Sequence, residues 1–359
     1  MNTPVIPTID MLDATWFTHT LHAGGHLATT NRVSQATATP MGAGEGMASL
    51  LWRVALSYEH PSDAPSSVIV KAATDDPHRL FIMQSAKFYA REVRFYDELA
   101  ADAPIRVPRC LYAAIDPETS LFVLVLEDVG QLRHVDQLAG CGFDDAVQAL
   151  RTLAKFQARW WDRDLTDIGT TFLPMDDGFN QFVVPMLHDQ NWPAARDACP
   201  DAWPDHVSTF LDGYVAKVPQ ILAGLMGPNT LIHNDYRVDN LLWDGDEIVV
   251  LDFQMSSIAS GLLDFAYFVG QSIPKEIRKE RFDDLLDTYL SELAANGIVL
   301  DRDAAIDKYR RALVFGFMWP LGLMGSYETL DPRGRELART MLDRHLAAVA
   351  DCGALSLYP

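Results

Sequence analysis

The chain has 359 residues, 48% hydrophobic and 22% charged, with 49 acidic against 29 basic side chains and a net charge of −20. Those proportions exclude overall disorder and leave room for two lobes or domains. The acidic balance argues against a nucleic-acid partner, because a polyanion needs a basic surface; it serves solubility, or suits a cationic substrate.

Cys110, Cys141, Cys199 and Cys352 are widely spaced and form no C-x-x-C pair, which disfavours a zinc site and fits a reducing compartment. Met1 to Ala14 lacks the basic and apolar segments of a signal peptide. The most apolar long stretch, Leu313 to Gly325, is too short to span a bilayer and contains Pro320. A cytoplasmic protein with no membrane partner is expected.

In chain order, residues 9–23 have helical spacing and end near Gly24-Gly25. Gly42-Ala-Gly-Glu-Gly46 follows. The backbone N–H groups at Gly42, Gly44 and Gly46 are candidates to close over phosphates, though the cluster also reads as a flexible turn. No G-K-[ST] follows, so it is not a Walker A loop. Residues 47–58 and 67–71 read as strands around a turn at 59–65, the second ending on Lys71. Residues 79–100 read as a helix containing Glu92. Two further strands are expected at 111–115 and 121–127. The connection beyond them, near Glu127 and Val129, is expected to offer its backbone to a nucleotide base, with Val54, Ile69 and Leu242 as lining. After Gly130 the pattern is mostly helical, from Phe143 to Trp161 onward. The exception is 241–253, where Asp244-Gly245-Asp246 marks a hairpin. The expected plan is therefore α+β, with a small N-terminal lobe over 1–129 and a larger helical lobe over 130–359.

The chemistry centres on Leu231-Ile-His-Asn-Asp-Tyr-Arg-Val-Asp-Asn240. His233, Asp235 and Asn240 stand in the order H-x-D-x-x-x-x-N, and Asp252 follows a short apolar run. Kinase-type phosphoryl transfer needs a carboxylate beside the attacking hydroxyl, and an amide and a carboxylate that share Mg²⁺. Asp235 is the candidate for the first role, orienting the hydroxyl and taking its proton late in transfer. Asn240 and Asp252 are the candidate metal ligands, since hard oxygens suit Mg²⁺ and phosphate completes its shell. A lysine ending a strand, such as Lys71, can reach phosphates, and Glu92 is a plausible ion-pair partner holding it extended.

Together with Leu251-Asp-Phe-Gln254 and Gly261-Leu-Leu-Asp-Phe-Ala-Tyr-Phe268, these residues resemble the kinase-like small-molecule phosphotransferases. That group includes aminoglycoside phosphotransferases, choline kinases and, closest in flavour, the ecdysteroid-kinase-like proteins. The resemblance covers nearly the whole chain. It implies a protein-kinase-like two-lobe fold, ATP as donor with Mg²⁺, and a hydroxylated small molecule as acceptor. It also implies that Asp264, with His233, braces the catalytic loop. Three positions depart from the wider pattern. The segment after Asp252 reads Phe-Gln. A helix usually carrying a His-Ala pair reads Phe156-Gln-Ala-Arg159. Arg237 stands where lysine or histidine is usual; it is expected either to meet the γ-phosphate or to form a surface salt bridge.

Only eleven residues separate Asp252 from Asp264, and no A-P-E follows. That leaves little room for a peptide-docking segment, so a small acceptor is favoured. Phe172, Phe179, Phe182, Trp192, Trp203, Phe210 and Tyr214, then Phe315, Phe317, Trp319 and Tyr327, are candidates for the acceptor wall or for ordinary core. As a wall they suit a bulky apolar alcohol: a steroid, terpenoid or macrolide. The competing reading uses Asp176, Asp177 and Asp189 for a cationic aminoglycoside. A nucleotide-binding sensor without turnover is a third reading, disfavoured by intact Lys71, Asp235, Asn240 and Asp252.

Overall fold

The computed structural model describes residues 11–41 and 49–359; Gly42, Gly44 and Gly46 lie outside the described residues. Two compact units divide the chain. The first comprises the residues up to Leu132 together with Val250–Met255, and the second comprises Arg133–Val249 and Ser256–Pro359. Nothing in the sequence signals that the short segment around Asp252 returns to the first unit.

In the first unit α1 (Ala14–Ala23) starts at Asp13, whose carboxylate accepts from the Trp16 backbone N–H at 2.8 Å and so satisfies an orphan donor. Strands β1 (Val33–Pro40), β2 (Ser49–Tyr58), β3 (Ser67–Ala73), β4 (Cys110–Ile115) and β5 (Phe122–Glu127) form one antiparallel sheet in the order β1-β2-β3-β5-β4. Trp52, Val54 and Leu56 of β2 join Val68 and Val70 of β3 in a core with Phe17 and Leu21 of α1. Register sets the other face: Leu51 lies opposite Lys71, Arg53 opposite Ile69, and Ile69 opposite Leu126. Because side chains alternate along a strand, Ile69, Lys71 and Leu126 share a face that excludes Val54. The expectation that Val54 and Ile69 line one site is therefore out by one residue.

The helix expected over 79–100 is broken. It comprises α2 (Pro77–Ser85), α3 (Phe88–Arg94) and a π-helical turn at Phe95–Leu99. Lys87 divides the first two in a left-handed conformation, φ +58°, which a non-glycine residue seldom adopts. The π turn places the consecutive side chains of Phe95 and Tyr96 inside; such turns recur at functional sites.

The second unit begins with β6 (Arg133–His134), followed by α4 (Phe143–Ala158), α5 (Thr166–Gly169), α6 (Gly178–Ala198), α7 (Asp205–Asp212) and α8 (Tyr214–Gly224). Then come β7 (Asn229–Ile232), β8 (Leu241–Asp244), β9 (Glu247–Val250, its last residue in the first unit) and β10 (Ser257–Ser260). Helices α9 (Leu262–Gln271), α10 (Lys275–Ala295), α11 (Arg302–Phe315), α12 (Met318–Gly325) and α13 (Pro332–Cys352) complete it. β8 and β9 form the expected hairpin, with Gly245 at φ +61°. β7 pairs with β10, Ile232 opposite Ser257. Every residue of α9 is buried, as expected of a helix apolar nearly all round. A β-rich first unit and a helical second one give the α+β, kinase-like plan expected. Among the described residues no helix is long and apolar enough to cross a membrane.

Candidate active site

In the first unit the site is built on charge. The Lys71 side chain is 8% exposed; its Nζ lies 2.8 Å from the Glu92 carboxylate and 3.0 Å from Asp252 Oδ1. Burial alone would lower the Lys71 pKa, but Asp252 and Glu92 together raise it above its ordinary value. Burial pushes Glu92 up to about 7, against the pull of Lys71 and with help from Asp252. The two shifts point in opposite senses for the ion pair, because one ammonium serves two carboxylates. Burial falls on Glu92, which is 1% exposed, while the Asp252 side chain is 28% exposed and keeps oxygen surface towards solvent. A partly exposed carboxylate is a hard oxygen donor, so Asp252 fits the chemistry of a Mg²⁺ ligand.

Asp252 has φ +62°. The segment bearing it is tied down on both sides. The Val250 N–H donates to the Arg106 carbonyl at 3.0 Å. The Phe253 ring stacks on Phe95, centroids 3.5 Å apart, with Tyr96 edge-on at 6.3 Å. The π turn that presents both rings thus helps to locate the carboxylate.

Beyond β5 a clamp appears that the sequence does not signal. Asp128 accepts from Ser67 Oγ at 2.5 Å, from Arg53 Nε at 2.8 Å and from the Gly130 N–H at 3.1 Å. It ties the exit of β5 to β2 and β3. Glu127 accepts from the Arg109 N–H at 3.1 Å through its side chain, and Val129 is buried. Ser67 at the start of β3 and Gly130 after Asp128 are the local hints, and neither residue type singles out this pairing.

In the second unit the loop after β7 is held by neutral donors and one buried acid. Asp264 takes the backbone N–H groups of His233 and Asn234, both at 2.7 Å. Burial raises the Asp264 pKa, opposed by His233 and by these hydrogen bonds. Gln157, where the resembling families usually carry the histidine of a His-Ala pair, donates to Asp264 Oδ2 at 3.1 Å and to the Gly261 carbonyl at 3.0 Å. A neutral amide therefore supports the brace. His233 Nδ1 accepts from the Asp235 N–H at 3.2 Å.

Asp235 is contacted on both oxygens. Asn240 Nδ2 donates to Oδ2 at 2.9 Å. Arg237 Nε lies 3.3 Å from Oδ1, and the Tyr267 hydroxyl donates to Oδ1 at 3.1 Å. Since Asn240 commits its nitrogen to Asp235, its amide oxygen is the atom suited to a cation. Arg237 also meets Asp239 at 2.7 Å, and Asp239 accepts from the Gln137 N–H at 3.1 Å. Arg237 thus sits between two carboxylates in partly exposed ion pairs, the salt-bridge alternative of the two expected for it. Leu242 is buried in β8, opposite His134.

Most of the expected aromatic wall is core: Phe172, Trp192, Trp203, Phe210, Tyr214, Phe315 and Phe317 are all buried. Trp319 is half-buried and stacks on Tyr267, centroids 4.1 Å apart. Phe182 remains 70% exposed on α6. Asp177 is used as the N-cap of α6, accepting from the Asn180 N–H at 2.8 Å.

Residues 69–300 match the family described as "Phosphotransferase enzyme family". The chain is similar in structure to the GDP and kanamycin complex of APH(2")-IIia, at 14% identity over 92% of this chain and 98% of that one, TM-score 0.56. It is similar to a Plasmodium vivax ethanolamine kinase at 13% identity over 90% and 85%, TM-score 0.52. A choline kinase from Cryptosporidium parvum Iowa II gives 13% identity over 90% and 92%, TM-score 0.50. No curated protein matches the chain. With the family model covering well over half of the chain, together with the kinase-like fold, this protein belongs to the phosphotransferase enzyme family and is a small-molecule kinase acting on hydroxyl groups.

Proposed function

We propose that the chain transfers the γ-phosphoryl group of ATP to a hydroxyl of a bulky apolar alcohol, in the manner of the ecdysteroid-kinase-like subgroup. The observation that carries the reaction is Asp235, oriented by Asn240, Arg237 and Tyr267 on a loop fixed by Asp264. In this reading Asp235 orients the acceptor hydroxyl and takes its proton as the new P–O bond forms and the β–γ bond breaks, releasing ADP. Lys71, held by Glu92, grips the α/β-phosphates. The backbone near Glu127 and Val129, steadied by Asp128, meets the base, with Leu242 as lining. Asn240 and Asp252 would each offer an oxygen to Mg²⁺, which would supply charge neutralisation at the phosphates. Arg237 orients Asp235 and reaches the γ-phosphate.

The apolar acceptor is supported by half-buried Trp319 on α12 and by exposed Phe182 and Met186 on α6, two helices that pack together. Asp177 supports it from the other side, because its carboxylate already caps a helix and is a poor station for a polycation. A cationic amino alcohol is the second reading, favoured by the net charge of −20 and by the π face of Trp319. The test is ADP formation from Mg·ATP with a panel holding a sterol, a terpenoid alcohol, a macrolide, choline and kanamycin. Turnover confined to choline or kanamycin would overturn the apolar reading. Nucleotide binding without acceptor-dependent ADP formation would favour a sensor.

A further inference from the structure

Four positions along α9 and just beyond it hold five residues of the loop that carries Asp235. Asp264 takes the N–H groups of His233 and Asn234. Tyr267, one turn later on the same face, donates to Asp235. Phe268 packs on Tyr236, with centroids 5.6 Å apart. Ser272 Oγ accepts from the Val238 N–H at 3.3 Å. The loop therefore lies along the helix in register, one station after another. Only the Tyr267 station touches the side chain assigned to proton transfer.

Resting on the reading of Asp235 given above, we infer that Tyr267 is a positioning residue for phosphoryl transfer: its hydroxyl fixes the direction of the Asp235 carboxylate, and Trp319 fixes the direction of the hydroxyl. A phenol ring has few free torsions, and stacking removes what remains. The Tyr267 and Trp319 rings are nearly parallel, 7° apart at 4.1 Å, with Phe315 edge-on to Trp319 at 5.5 Å. Tyr267 is 4% exposed. Burial, with Asp235 beside it, holds its hydroxyl well above the ordinary phenol range, so it stays a donor. Asp235 has a short side chain with two torsions. A donor on Oδ1 from Tyr267 and another on Oδ2 from Asn240 hold its carboxylate plane from opposite ends. A catalytic base held this way meets the acceptor hydroxyl without a conformational search. A phenylalanine would fill the same space and keep the stack, but it would take the phenol donor from Oδ1 and leave Arg237 Nε, 3.3 Å away, on that oxygen.

The test compares Tyr267→Phe with wild type in the full-length protein. It measures kcat and the KM for ATP from ADP formation, with Mg·ATP and water as acceptor and with the best acceptor of the panel. Melting temperature is measured in parallel, and Asp235→Asn serves as control. One lost hydrogen bond to a carboxylate predicts a fall in kcat of about 10-fold, with the KM for ATP and the melting temperature near wild type. A kcat within two-fold of wild type, while Asp235→Asn is inactive, would overturn the role of Tyr267 and leave that of Asp235 standing. A fall in kcat matched by a fall in folded fraction would also overturn it, because a purely structural role moves both together. Retained turnover in Asp235→Asn would remove the base itself, and this inference with it.

Discussion

The two units hold their functional carboxylates by different physics. In the first, Asp252 and Glu92 share one buried lysine, so charge attracting charge adds to the packing that places Asp252. In the second, Asp264 is held by two backbone N–H groups and the Gln157 amide, and Asp235 by an amide, a phenol and one arginine. Charge gives a strong grip that fails when the lysine is lost, because the buried Glu92 carboxylate then loses its cation. A hydrogen-bonded grip is distributed, and each lost donor costs its own share. A station proposed to accept phosphate and cation as well suits the first kind. A base that must keep one orientation suits the second.

The most damaging single change to turnover should be Asp235→Asn. It keeps shape and the contact with Asn240 but removes the proposed proton acceptor, and kcat should fall roughly 10²- to 10⁴-fold. Nucleotide affinity, measured by calorimetric titration of ATP, should be largely kept. Lys71→Ala should instead strike fold and nucleotide together. Glu92 and Asp252 lose their cation, and chemical denaturation should show a loss of about 3–5 kcal/mol, with weakened ATP binding. An unchanged unfolding midpoint would mean that charge is not what holds this station.

Asp264→Ala tests the distributed grip. It orphans the N–H groups of His233 and Asn234, each worth roughly 1–3 kcal/mol when buried, and turnover should fall even though no reacting group is touched. The gentlest probe is pH. Burial pushes the His345 imidazole in the second unit down to about 3 from about 6.5, Arg278 acting the same way and a hydrogen bond with the Leu313 backbone opposing. Its folded pKa lies below its free one, so the unfolded chain takes up the proton first. Stability from this group is complete above about pH 6.5 and is lost as pH falls towards 3, at up to about 1.4 kcal/mol per pH unit. His345→Gln should flatten the slope of unfolding free energy against pH by one proton over that window.

Spacing made much of this legible. Asp235 and Asn240 share one loop, so their separation in sequence nearly fixes their separation in space, and Asp244-Gly245-Asp246 announces its own turn. What stayed hidden depends on tertiary partners. β1 alternates small and polar residues, Val33-Ser-Gln-Ala-Thr-Ala-Thr-Pro40, and is mostly exposed at the sheet edge, so it has no hydrophobic period to detect. The break at Lys87 has neither glycine nor proline to mark it. Val54 was misplaced because a strand reading gives two faces without saying which one α1 covers. Tyr267 was passed over inside an apolar run; its position three residues after Asp264 was the available signal. The aromatic residues of α6 to α8 could not be sorted into wall and core, because ring content alone does not say what a ring packs against.

The alignment of α9 with its loop also bears on which changes of length the chain tolerates. An insertion in an exposed loop leaves distant contacts as they were, but one residue added between Asp264 and Tyr267 would turn everything after it by about 100°. The phenol, the Phe268 ring and the Ser272 hydroxyl would all then face away from residues 235–238. α9 therefore acts as a ruler, with the loop's addresses marked in angle as well as in distance. Substitutions can be tried along it one at a time, but its length between those marks cannot drift.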